Sequence, residues 1–173
     1  NYPKGFKEIY CMKYEISQGQ YVDFVNTLLS DQGAARQIVN GANRMAITGT
    51  WPVNVAGAPH RAMALLSWTD LLAYLDWSAL RPMTELEFEK VCRGTMPRVA
   101  GEYPWGDTTI NPFYSSTIEN ALQPTETETT VVNGRCAVAI NTGSGIYGPL
   151  KVGVFATATS GRSSAGAAYY GAM

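Results

Sequence analysis

The sequence is poor in the residues that usually build metal and nucleophile sites. It has one histidine and three cysteines in 173 residues. Cys11, Cys92 and Cys136 lie 81 and 44 positions apart. No CxxC spacing exists, so no zinc site is legible. Free cysteine is among the most buried residue types, and the three read as buried, inert thiols, with a disulfide left open. His60 stands in a proline-containing loop with no serine, cysteine or carboxylate pattern beside it. It reads as a loop residue, and a Ser-His-Asp triad would rest on it alone. An excess of one charge is also missing: 13 basic and 14 acidic side chains leave a net charge of −1. Binding to nucleic acid needs clustered Lys and Arg, so no nucleic acid partner is expected. No apolar run approaches the roughly 18–20 residues that span a bilayer, so no membrane span is expected. No signal peptide is legible at Asn1, although a processed chain would have lost one. The chain reads as processed or as a piece of something longer. No repeat or heptad is visible.

What is present is a globular balance. Hydrophobic residues make up 46% and charged residues 16%, too apolar for general disorder. A chain of this size suits one domain and buries about 70% of its unfolded surface.

The richest stretch runs from Arg81 to Asp107. Arg81-Pro82 ends a preceding helix, because a residue before proline is pushed out of the α region. Thr84 is an N-cap with Glu87 three residues on, a capping box. Leu86, Val91 and Phe88 supply the apolar side of the helix, and Glu85, Glu87, Glu89 and Lys90 face solvent. Gly94 supplies a positive-φ stop. Tyr103-Pro104-Trp105-Gly106-Asp107 is a turn carrying two large rings. The acidic run reads as a solvated helix face rather than as catalytic carboxylates.

Elsewhere, Phe6–Met12 is rich in β-formers and predicts a strand. Ser17 caps a helix over Gln18–Leu29, with Tyr21, Phe24, Val25, Leu28 and Leu29 at helical spacing. Residues 30–60 read mostly as loop, with a short strand at Arg44–Thr48. Ser67 caps another helix with Asp70 at N3. Leu71, Leu72, Leu75 and Ala79 form its buried stripe, with Trp68 and Tyr74 near its edges. Residues 108–135 are rich in Thr, Asn and Glu and read as an exposed excursion, a hairpin ending near Val131-Val132-Asn133-Gly134. Cys136–Ile140 and Val152–Phe155 are short strand candidates. The order of elements predicts an α+β fold.

These pieces carry a resemblance. Tyr10–Tyr21 resembles the "K-x-E-V-T-x-x-x-Y" opening of the formylglycine-generating enzyme, or sulfatase-modifying factor, family. Trp51–Val55 and Leu66–Asp70 resemble its "P-V-x-x-V-S-W-x-D-A" stretch, split by an insertion. Arg81–Glu89 resembles "R-L-P-T-E-A-E-W-E", and Arg93-Gly94 and Tyr103–Asp107 match "R-G" and "Y-P-W-G-D". The match is good over residues 6–107, loose over 108–150, and resumes faintly at Val152-Gly153 and Tyr170–Met173. It implies a C-type lectin-like fold with helices packed on short, irregular antiparallel strands. It implies one incomplete domain over residues 1–173, with 108–150 an insertion or irregular region.

In that family the enzymes oxidise a substrate cysteine to formylglycine with dioxygen and copper held by a cysteine pair. The pair follows an "L-x-G-N-x-W-E-W" segment, which would begin where this sequence stops. None of the three cysteines here falls at a matching position, so no catalytic or cofactor-binding residue is assigned. Variable proteins of diversity-generating retroelements resemble the same scaffold but bind ligands, and the Ser163–Met173 tail looks like theirs. The expected function is therefore a non-catalytic ligand-binding or display module. The alternatives are a formylglycine-generating oxidase whose cysteines lie further on, and a structural component of a surface or secretion assembly. The expected partner is a protein or other macromolecule bound through a carboxy-terminal face, or a second chain or continuation completing the fold and covering its open edge. The compartment is not legible in the residues, and the display resemblance points to the cell surface or the extracellular side. Family resemblance also implies calcium in the loops after the "W-G-D" turn, with Asn120 as one side-chain ligand. The plainer reading of Asn120 is a polar loop residue, since calcium needs 6–8 oxygens and no such set can be assembled.

Overall fold

Among the described residues, three of four helices begin where the sequence places a cap. The computed structural model describes residues 8–112, 118–137 and 148–173. Ser17 opens α1 (Gln18–Thr27): its hydroxyl accepts from Gln20 N at 3.2 Å, and the Gln20 side chain accepts from Ser17 N at 2.9 Å. The same reciprocal box, with Asp70 and Glu87 as partners, forms at Ser67 before α3 (Trp68–Trp77) and at Thr84 before α4 (Glu85–Arg93). Each box satisfies amide donors that a helix start leaves unpaired.

The helix α2 (Ser30–Arg36) lies where the sequence reads as loop. It has no side-chain cap, so tertiary contacts hold it. Gly33 is buried with its α-carbon against the Trp51 indole, where a Cβ would overlap the ring. The Tyr21 hydroxyl donates to Arg36 O at 2.9 Å, and Arg36 pairs with Asp70 at 3.1 Å. Packing here overrides a weak local preference.

The strands are two residues long. β1 (Ile47–Thr48) pairs antiparallel with β2 (Val55–Ala56). β3 (Asn111–Pro112) precedes β4 (Ile118–Glu119), which pairs antiparallel with β5 (Thr127–Glu128). β6 (Arg135–Cys136) runs parallel to β3. The fold is α+β, but its strand pairing is not wholly antiparallel. Asn133-Gly134 does not close a hairpin. Instead Asn111 N donates to Gly134 O at 2.8 Å and its side-chain amide to Asn133 O at 2.5 Å, which lays β6 beside β3.

Other expected strands are absent among the described residues. Residues 8–12 are irregular, with Tyr10 86% exposed; Phe6 and Lys7 lie outside the described residues. Strand propensity counts only against a neighbouring strand, and none lies beside this segment among the described residues. Only Ile47 and Thr48 of the Arg44–Thr48 candidate are strand, because Arg44 takes φ 67°. Val152–Phe155 is a turn around Gly153 at φ 65°. Cys136 ends β6, and residues 138–140 lie outside the described residues.

The main core packs Tyr21, Phe24 and Val25 of α1 against Tyr74 of α3. Phe24 meets Tyr74 edge-on at 5.7 Å and Trp77 at 5.6 Å between ring centroids. These rings set the rotation of α3, so the expected stripe is shifted: Tyr74 and Leu75 are buried, whereas Leu72 and Ala79 are exposed. On α4 only Val91 is buried, and Leu86 and Phe88 face outward. Val22, Met45 and Ile47 form a second cluster, and Leu150 and Val154 a third.

Candidate functional site

The Arg81–Asp107 segment is clamped from both sides. Arg81 makes a bidentate pair with Glu87, at 2.5 and 2.8 Å, and Thr84 N donates to the same carboxylate at 2.9 Å. The Arg81 guanidinium first, then the Thr84 amide, pull Glu87 down to about 2. Gly94 ends α4 at φ 64°. In the turn, Tyr103 stacks on Trp105 at 4.9 Å, and the indole N–H donates to Thr109 O at 3.0 Å. Arg162 then ties the helix to the turn: one guanidinium nitrogen donates to both Cys92 O and Pro104 O at 2.8 Å. Ser163 adds a hydroxyl bond to Asp107 at 2.6 Å, which holds that carboxyl below its usual range.

Two buried ion pairs lie beyond the turn, where an exposed excursion is expected. Glu126 is 0% exposed and Glu128 4%. The Glu126 carboxylate accepts from Arg44, from Leu122 N at 3.0 Å and from Lys151 N at 2.9 Å. Burial pushes this acid up, but the Arg44 guanidinium and the two amides outweigh it and hold the acid below its usual range. Arg61 completes the latch by donating to Arg44 O at 2.9 Å and Leu122 O at 3.1 Å. Around the second pair, Arg135 donates to Glu128 and to Pro112 O, both at 3.0 Å, and Thr130 N donates to Glu128 at 2.8 Å. A buried charge is tolerated when it is paired and hydrogen-bonded, which is how this polar run folds inward.

Asn120 sits at the mouth of the first latch. It is exposed, adopts φ 52°, and its carbonyl accepts from Gln123 N at 2.9 Å. The neighbouring oxygens, Leu122 O and the Glu126 carboxylate, are occupied by Arg61 and Arg44. Among the described residues no three His, Cys, Asp or Glu side chains converge as metal ligands. Asn120 offers one side-chain oxygen, and calcium draws on about 6–8 oxygens from side chains, main chain and water.

No disulfide joins Cys11, Cys92 or Cys136. Cys11 is exposed, contrary to the buried reading, and Cys92 and Cys136 are half-buried. Desolvation pushes Cys11 up, and desolvation followed by Glu89 pushes Cys92 up. Cys11, Cys136 and Cys92 line three different clefts, and no copper–thiolate set converges among the described residues. Cys11 lines a cleft of about 370 Å³ with Ile9, Met12, Val91 and Tyr170. Cys136 lines another of about 290 Å³ beside Leu150, Val154 and Phe155.

His60 is a loop residue, as its surroundings in the sequence suggest, but both ring nitrogens are buried. Arg44, Arg61, Glu126 and Arg162 were invisible as partners because each acts on residues far away in sequence. Only a Glu-rich run hinted at Glu126.

A capped helix, its glycine stop and a clamped aromatic turn define the class of a sulfatase-modifying-factor-type domain. The sequence profile of the sulfatase-modifying factor enzyme 1-like domain matches residues 4–138, and the chain belongs to that family. A formylglycine-generating enzyme of Thermomonospora curvata is 33% identical over 54 residues, 31% of this chain and 17% of that enzyme. A formylglycine-generating enzyme of Bos taurus is 24% identical over 126 residues, 57% of this chain and 33% of that enzyme. The matches therefore span a third or less of either relative's length. No solved structure matches the chain. No helix among the described residues is long and apolar enough to cross a membrane.

Proposed function

We propose that this domain is a non-catalytic ligand-binding module on a C-type lectin-like form of the family fold, similar in role to the variable proteins of diversity-generating retroelements. The observation that carries this reading is how side chains are allocated. The buried charges serve loop architecture: Arg44 and Arg61 latch Glu126 and Leu122, and Arg135 holds Glu128. Large rings are left outside, with Trp68 62% and Phe88 54% exposed. Exposed aromatic side chains give contact area at low rotamer cost and are enriched in recognition surfaces. A protein or other macromolecular ligand suits such a surface.

A second reading, formylglycine-generating oxidation, is favoured by the names of the two relatives. Incubating the chain with copper(I), dioxygen, a thiol reductant and a single-cysteine peptide of sulfatase type separates the two. The binding-module reading expects the peptide to keep its cysteine by mass spectrometry. Conversion to formylglycine would overturn it.

A further inference from the structure

The chain's only histidine lies against the Glu126 latch and has no part in it. Its backbone is stitched to the same segment as the latch: Val152 N donates to His60 O at 3.0 Å, Ala62 N donates to Leu150 O at 2.9 Å, and Lys151 N donates to Glu126. Both ring nitrogens are buried and have no hydrogen-bond partner among the described residues. The charged groups that act on the ring are Arg61 on its own segment, Arg44 before β1, Lys151 on the facing segment, and a single carboxylate, Glu126. That carboxylate is already shared by Arg44 and two amides. A proton on His60, whose ring nitrogens are buried in a half-buried residue, would add a fourth positive charge around one negative charge.

We propose that His60 is an acid trigger for this latch: protonating its ring loosens the 120–126 loop from the Arg44–Arg61 and Leu150–Lys151 segments. A neutral imidazole is tolerated where it stands, whereas an imidazolium meets three cations and one carboxylate that Arg44 and two amides already share. Burial first, then Arg61, push the imidazole below its usual value of 6.5, while Glu126 opposes them. A base whose folded-state value is lowered binds more protons when unfolded. Latch stability is therefore full above pH 6.5 and falls as pH drops below it. Glu126 is itself held below its usual range, so it stays ionised across that window.

Amide hydrogen exchange tests this directly. Leu122 and Lys151 donate to Glu126 and report the latch, whereas the cap amides of Gln20 and Asp70 serve as controls. After correction for intrinsic exchange, protection at Leu122 and Lys151 should fall about threefold between pH 7 and pH 5.5. The control amides should not change, and the fall should vanish in His60→Gln. Persistence of the fall in that variant overturns the proposal, as does its absence in the native chain. Should the variant not fold, the sole histidine gives one ring signal by NMR in the native chain. Its titration midpoint must coincide with the loss of protection, and separate midpoints overturn the proposal.

Discussion

Glu126 shows how one side chain can hold several segments together. Its carboxylate joins Arg44, Leu122 and Lys151, three positions scattered along the chain. Removing one partner of a buried pair leaves the other uncompensated, which costs about 3–5 kcal/mol. Glu126→Gln should lower unfolding free energy by that amount in urea titration, and a loss under about 1 kcal/mol would show that the latch is dispensable. Glu87 makes a contrasting case at the surface. Its acid is pulled from 4.5 to about 2 by Arg81 and Thr84. A lowered carboxylate stabilises the fold above its unfolded value and loses that contribution as pH falls through its folded value. The melting temperature of the native chain should therefore exceed that of Glu87→Gln at pH 6, with the gap closing between about pH 4.5 and pH 2. An equal gap at both ends would remove the pair as its cause. Trp68, by contrast, is exposed, so Trp68→Ser should change stability by no more than about 0.5 kcal/mol. A larger loss would give this ring a structural role and weaken the recognition reading.

At the level of elements, three helices owe their starts to short local signals. Ser17, Ser67 and Thr84 each form a complete capping box, and these were legible because a box needs only residues three apart. Thr84→Ala should cost about 1 kcal/mol, measured as a shift of the denaturation midpoint. The end of α4 depends on more. Gly94 has φ 64°, and a Cβ there would overlap the Tyr169 ring. Gly94→Ala should therefore cost more than the roughly 1–2 kcal/mol of a positive-φ alanine alone. A smaller loss would mean that Tyr169 moves aside freely. The helix α2 and the parallel pairing of β3 with β6 carried no such local mark. The first rests on Trp51 and Asp70, the second on Gly134 meeting Asn111.

For the molecule as a whole, the allocation of charge bears on calcium. Arg44 already pairs with the Glu126 carboxylate, and Arg61 already donates to Leu122 O, two positions from Asn120. Melting in calcium and in chelator should give the same midpoint. A rise of several degrees with calcium would return Asn120 to the role of ligand. The sequence by itself determined the family, the α+β class and the three capped helices, because caps, glycine stops and the Tyr103–Asp107 turn act over a few residues. Tertiary structure alone decided that Glu126 and Glu128 lie inside, that Tyr74 rather than Leu72 faces the core, and that Cys11 is exposed. The physical reason is reach. Arg44 and Glu126 are 82 positions apart, and Arg162 and Cys92 are 70 apart. A charge becomes buriable only when such a partner arrives, so a run of Glu and Thr that reads as solvated surface turns inward only in the folded chain.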